Sequence, residues 1–97
     1  MNVREEILRK ATECVNGSRQ QDYGTPEDNF TIISKLWSIY LGMQISPEDV
    51  AMMMCLLKVA RIATAPEVPT EDCFIDLAGY AACAGEIVAG RRKGGTA

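Results

Sequence analysis

Asp72 and Asp76 stand four residues apart in Glu71–Ala84 (EDCFIDLAGYAACA). On a helix that spacing puts both carboxylates on one face, together with Gly79 and Cys83. Two acids so placed suit Mg²⁺, which prefers oxygen ligands and keeps waters and substrate phosphates in its shell. Asp28 and Asp49 are the acids that would complete such a site from facing helices. Like Asp72, they also fit a plainer role as first-turn acids at the positive end of a helix dipole. Asp76 has no such explanation, because it is the only charge between Cys73 and Gly85. A carboxylate on so apolar a helix needs a partner, and Lys58 and Arg61 are the cations available. The pair is either an internal ion pair or a carboxylate that aims a cation at a bound phosphate. Arginine is the better fork for phosphate, while lysine acts as a point charge.

Two more polar groups belong to the same argument. Asn29 projects into the apolar face of its helix between the azimuths of Ile33 and Leu36, where its amide needs partners. It is either satisfied within the core or it hydrogen-bonds a ligand base or sugar. Tyr23, in the turn Asp22-Tyr23-Gly24, either covers the end of the helices or stacks on a base.

Composition removes several alternatives. The chain has no histidine, so histidine-based acid–base catalysis is excluded. No glycine-rich turn joins a strand to a helix, so there is neither a P-loop nor a dinucleotide fingerprint. A net charge of −3 gives no electrostatic case for nucleic acid as a partner. The cysteines at 14, 55, 73 and 83 form no close pair, so free thiols are expected rather than zinc. No uninterrupted apolar run reaches the ~18 residues of a membrane span, and Met1–Lys10 carries five charged side chains. A cytoplasmic protein with no membrane partner is the expectation.

The elements that must position these groups are all helical. Asn2 and Glu5 form a capping-box-like start, followed by Val3, Ile7, Leu8, Ala11 and Val15 at helical spacing up to Gly17, a helix over about 3–16. Thr25-Pro26-Glu27-Asp28 and Ser46-Pro47-Glu48-Asp49 are two further starts, and Pro69-Thr70-Glu71-Asp72 is a weaker third. They predict helices over about 26–41, 47–64 and 71–89, the first and last of these stopped by Gly42 and Gly90. Ile33, Leu36, Trp37, Tyr40 and Leu41 should form the buried face of the 26–41 helix, with Thr31, Ser34, Lys35 and Ser38 opposite. Val50–Leu57 is apolar without interruption, so this helix should be covered on all sides and part of it should meet another subunit. On the last helix Ala78, Gly79, Ala82 and Gly85 make a face that a neighbour can approach closely. No strand alternation appears. The expected fold is an all-α, mostly antiparallel four-helix bundle that assembles as a homo-oligomer, with residues 1–90 one helical domain and 91–97 a basic, glycine-rich tail.

DYG-x-PEDNF (22–30), LW-x-x-YLG (36–42), DVA-x-MM-x-LLK-x-AR (49–61) and ED-x-x-x-DLAGYA (71–81) together resemble a family of short, functionally uncharacterised phage and prophage proteins. Asp76-Leu77-Ala78-Gly79-Tyr80 is also similar to the stretch after the last metal-binding aspartate of MazG-like nucleotide pyrophosphohydrolases. That second resemblance implies a small Mg²⁺-dependent helical oligomer acting on a nucleotide. The MazG-like pattern of E-x-x-E on one helix and E-x-x-D on another is incomplete, since Cys73 stands where the last glutamate would be. Only Asp76 carries over. The expected function is binding of a nucleotide or other phosphorylated ligand by Asn29, Lys58, Arg61, Asp76 and Tyr23, with Mg²⁺ on Asp72 and Asp76. The alternative is a non-catalytic interaction protein or a ligand-sequestering oligomer.

Overall fold

The computed structural model describes residues 2–16 and 26–93, and among these there are four helices and no strand. They are α1 (Val3–Asn16), α2 (Pro26–Leu41), α3 (Pro47–Ala63) and α4 (Glu71–Lys93). The starts are built as the sequence implies. Asn2 Oδ1 accepts the Glu5 N–H at 2.9 Å, and Asn2 Nδ2 donates to Glu5 Oε1 at 3.3 Å. At α3, Ser46 Oγ accepts the Asp49 N–H at 3.1 Å while the Asp49 carboxylate accepts the Ser46 N–H at 3.2 Å. This reciprocal pair satisfies two otherwise orphaned donors.

The link from α2 to α3 is set by Ser38 and Gly42. Gly42 takes a φ of +67°, open to glycine at little cost, and its N–H and that of Met43 both donate to the Ser38 carbonyl. Ser38 Oγ accepts the Ile45 N–H at 2.8 Å and donates to the Ser34 carbonyl at 2.6 Å. The hydroxyl thereby ties the incoming strand of chain to the helix it has just left.

α4 is the hub. It packs most extensively on α3, then on α1, and lightly on α2, which rests mainly on α3. The core joins Phe30 of α2, Val50 and Ala51 of α3, and Cys83, Ala84 and Ile87 of α4, with Val15, Ile33, Trp37, Ile45 and Tyr80 around it. Phe30 and Tyr80 meet with ring centroids 6.2 Å apart, tilted at 44°. Gly79 lets α1 close on α4, since a Cβ there would lie 3.3 Å from Val15 Cγ1. Of the small-residue face expected on α4, Gly79 is thus the close-approach position, whereas Ala82 and Gly85 are exposed.

Four differences from the sequence reading stand out. α2 is rotated: Ser34 is buried and Ser38 half-buried, while Leu36, Tyr40 and Leu41 face outward. Burial of the serines is possible because each finds a local acceptor, Ser34 Oγ donating to the Thr31 carbonyl at 2.8 Å. α3 is apolar all round but not covered all round, with Met52, Met53, Leu56 and Leu57 exposed in the single chain. α4 does not stop at Gly90 but continues to Lys93. A mid-helix glycine costs only ~1 kcal/mol, and Arg91, just beyond it, is held by Glu48 of α3. Finally, Glu71–Arg91 is long and apolar enough to cross a membrane by length and composition. Packing against the other helices buries 28% of its apolar window, so the described fold uses part of that apolarity.

Candidate functional site

Asp76 sits in the second turn of α4, where its side chain reaches α3. Its Oδ2 is 2.9 Å from Lys58 Nζ. The sequence left Lys58 and Arg61 as rival partners, and geometry selects Lys58. Positions 55 and 58 share the α3 face turned to α4: Cys55 is buried, with its Sγ 3.8 Å from the Leu77 carbonyl, and burial raises its thiol pKa. Lys58 keeps only 15% of its side chain exposed, running its methylenes along this interface, whereas Asp76 keeps 39%. The carboxylate therefore faces both ways, toward a sheltered ammonium and toward water.

The wet side of Asp76 opens on a hollow of about 490 Å³ between α1 and α4, lined by Lys10, Glu13, Cys14, Asp72, Ile75 and Asp76. The i, i+4 relation expected of Asp72 and Asp76 does bring both to one cavity. Lys10 and Glu13 face them from α1, and neither was expected there. Their signal was the 10, 13, 14 spacing, which puts both with Cys14 along one side of α1. Lys10 Nζ approaches Glu71 Oε2 at 3.7 Å, while Glu13 is bonded to Arg9 at 2.5 Å.

The remaining expected residues lie elsewhere. Arg61 is exposed in the last turn of α3, where a cation suits the negative end of the helix dipole. Asn29 is half-buried in the first turn of α2, beside core residue Phe30, and is not hydrogen-bonded to Asp76, Lys58 or Arg61. Tyr23 lies outside the described residues, and the side chain of Asp28 is likewise not described. Among the described residues no three acids or cysteines converge on one point as a closed metal cage. Asp72 and Asp76 nonetheless offer what Mg²⁺ asks of a protein, one or two carboxylates beside open space for waters and phosphate.

A second polar contact went unnoticed in the sequence. Arg91 makes a forked pair with Glu48, its Nη2 2.6 Å from Oε1 and its Nη1 on Oε2. The guanidinium hydrogen bond holds the Glu48 carboxyl down at about 2. It joins the first turn of α3 to the last turn of α4 and lies far from the hollow, so its role is to fasten those ends.

A family model described as a domain of unknown function (DUF6378) matches residues 6–88, from the first turns of α1 almost to the end of α4. The chain is similar to the Gene 55 protein of Mycobacterium phage L5, 46% identical over 76 residues, covering 77% of this chain and 47% of that protein. It is 42% identical to the Gene 55 protein of Mycobacterium phage D29 over 83 residues, 86% of this chain and 54% of that one. The chain thus spans about half the length of these relatives. No solved structure matches it. With the family model covering all four helices and both phage proteins aligned over most of the chain, this is a phage-type protein of the DUF6378 family, whose function is unknown.

Proposed function

We propose that this chain is a mostly antiparallel four-helix module that binds a Mg²⁺-complexed phosphorylated ligand, a nucleotide first among them, in the hollow between α1 and α4. The observation that carries this is the double attachment of Asp76, whose carboxylate is paired with Lys58 on one side and lines the hollow with Asp72 on the other. Charge chooses the form of the ligand. Glu13 and Asp76 are already paired with Arg9 and Lys58, and the hollow offers a phosphate one ammonium, Lys10, beside carboxylate oxygens, so a phosphate enters best with a Mg²⁺ that those oxygens can ligate. In this reading Asp72 and Asp76 hold Mg²⁺ and Lys58 fixes the Asp76 rotamer. Arg61, Asn29 and Tyr23 are the phosphate, hydrogen-bond and stacking groups that the ligand's far end would engage. The setting is the reducing cytoplasm, which suits four free thiols.

Thermal shift against a nucleotide panel, with and without Mg²⁺, tests this. Binding at a hundredfold excess over Kd adds ~2.7 kcal/mol of apparent stability. The expected result is a shift that needs both nucleotide and Mg²⁺ and is lost in Asp72→Asn, whose side chain is exposed and leaves the core untouched. Assay of the same mixtures for pyrophosphate release then separates hydrolysis, the metal-assisted reaction class the site would serve, from simple sequestration. No shift with any nucleotide would overturn the proposal. It would favour a non-catalytic interaction protein, the second reading, for which the exposed apolar side chains of α2 and α3 speak.

A further inference from the structure

Among the described residues, the back of α2 points away from the other helices. Ile32, Leu36, Ile39, Tyr40 and Met43 are 60–88% exposed, although the opposite side of the same helix supplies Phe30, Ile33 and Trp37 to the core. Lys35 is the only charge between Ile32 and Met43. An apolar row on both sides of a helix is the mark of one with neighbours on both sides. The row also has a defined period. Ile32, Leu36 and Ile39 follow at intervals of four and three, and Met43 comes four further on, just past the helix end. That is the a/d spacing by which one helix receives the knobs of another.

We infer that this row is a helix–helix interface and that its occupant is α2 of a second copy, running antiparallel about a twofold axis near Trp37 and Ser38. An antiparallel seam sets a positions against d positions, and this row closes on itself in that way. Leu36 of one copy lies beside Ile39 of the other, and Ile32 beside Met43, as a self-complementary twofold contact requires. The area agrees. The five side chains expose on the order of 700 Å², close to the ~800 Å² that each partner contributes to a standard interface. Pairing is thus relocated from α3, where uninterrupted apolarity first suggested it, to α2. It stands independently of the ligand reading.

Sedimentation equilibrium at micromolar concentration tests it. The chain should sediment at twice its 10.6 kDa, and Leu36→Glu and Ile39→Glu should each return it to one chain mass with an unchanged helical circular-dichroism spectrum. Leu56→Glu, on the exposed side of α3, should leave the dimer intact. A monomeric native chain, or a dimer that survives both α2 changes, overturns the inference, and so does one that Leu56→Glu alone dissociates. Should the α2 variants unfold, the melting temperature of the native chain decides. A rise with protein concentration means folding is coupled to pairing and supports the seam, and a constant value refutes it.

Discussion

Replacing Asp76 by alanine removes the partner of an ammonium that has little water of its own. At 2.9 Å the attraction between two unit charges is ~1.4 kcal/mol in water and ~6 kcal/mol at an effective dielectric of 20, before desolvation is charged against it. Fully exposed pairs contribute ~0.2–1 kcal/mol, whereas breaking a buried pair costs ~3–5 kcal/mol. With Lys58 15% exposed and Asp76 39%, the contact falls between these limits, and it is asymmetric. Asp76→Ala strands the sheltered ammonium and should cost ~2 kcal/mol. Lys58→Met keeps an apolar stem of similar length in the sheltered position and strands a carboxylate that already reaches water, which should cost ~0.5–1 kcal/mol. Urea titration at fixed protein concentration reads both. With a slope of ~1 kcal/mol per M, the midpoint should fall by ~2 M for Asp76→Ala and by under ~1 M for Lys58→Met. The double change Lys58→Met with Asp76→Leu should recover most of the loss. If Lys58→Met proves as costly as Asp76→Ala, or if both are neutral, the account of a sheltered cation and a half-wet anion is wrong.

Glu48 gives the fold a pH dependence of known sign. Its carboxyl is held below the usual range by Arg91, so the stabilisation is complete above about pH 4.5 and is lost as pH falls toward 2. Arg91 is half exposed, which screens the pair to ~1–2 kcal/mol, so the stability gap between native chain and Arg91→Ala should be of that size at pH 6 and close by pH 2 in acid titrations. At Gly79, alanine should be nearly neutral, because a gain of ~1 kcal/mol in helix propensity offsets a 3.3 Å contact with Val15. Leucine should instead push α1 off α4 and cost ~2–4 kcal/mol in urea denaturation. Cys14 is exposed and Cys55 and Cys83 are buried, so in native thiol titration Cys14 should react first and the buried pair only on unfolding. Equal rates for all four would contradict the packing of α3 on α4.

Much of this protein is local and therefore legible in the chain. Helix starts depend on contacts within four residues, so Asn2 with Glu5 and Ser46 with Asp49 announced α1 and α3 to the residue. The i, i+4 relation of Asp72 and Asp76 is likewise fixed by helix geometry alone, and it survives as a shared hollow. The need of Asp76 for a partner followed from its apolar surroundings, but the choice of Lys58 over Arg61 did not. Three residues on a helix turn a side chain by 60°, and only the angle at which α3 lies on α4 decides which of the two cations faces the carboxylate. Rotation of α2 was hidden for a related reason. Hydrophobicity alone favours the Leu36–Tyr40 side as buried, while Ser34 and Ser38 can satisfy their hydroxyls on nearby backbone and turn inward at small cost. Gly90 read as a stop because local propensity knows nothing of Glu48, more than forty residues upstream, which anchors Arg91 and carries α4 another turn. The elements and their chemistry were set by short-range rules, and which faces meet was set by packing between segments distant in the chain.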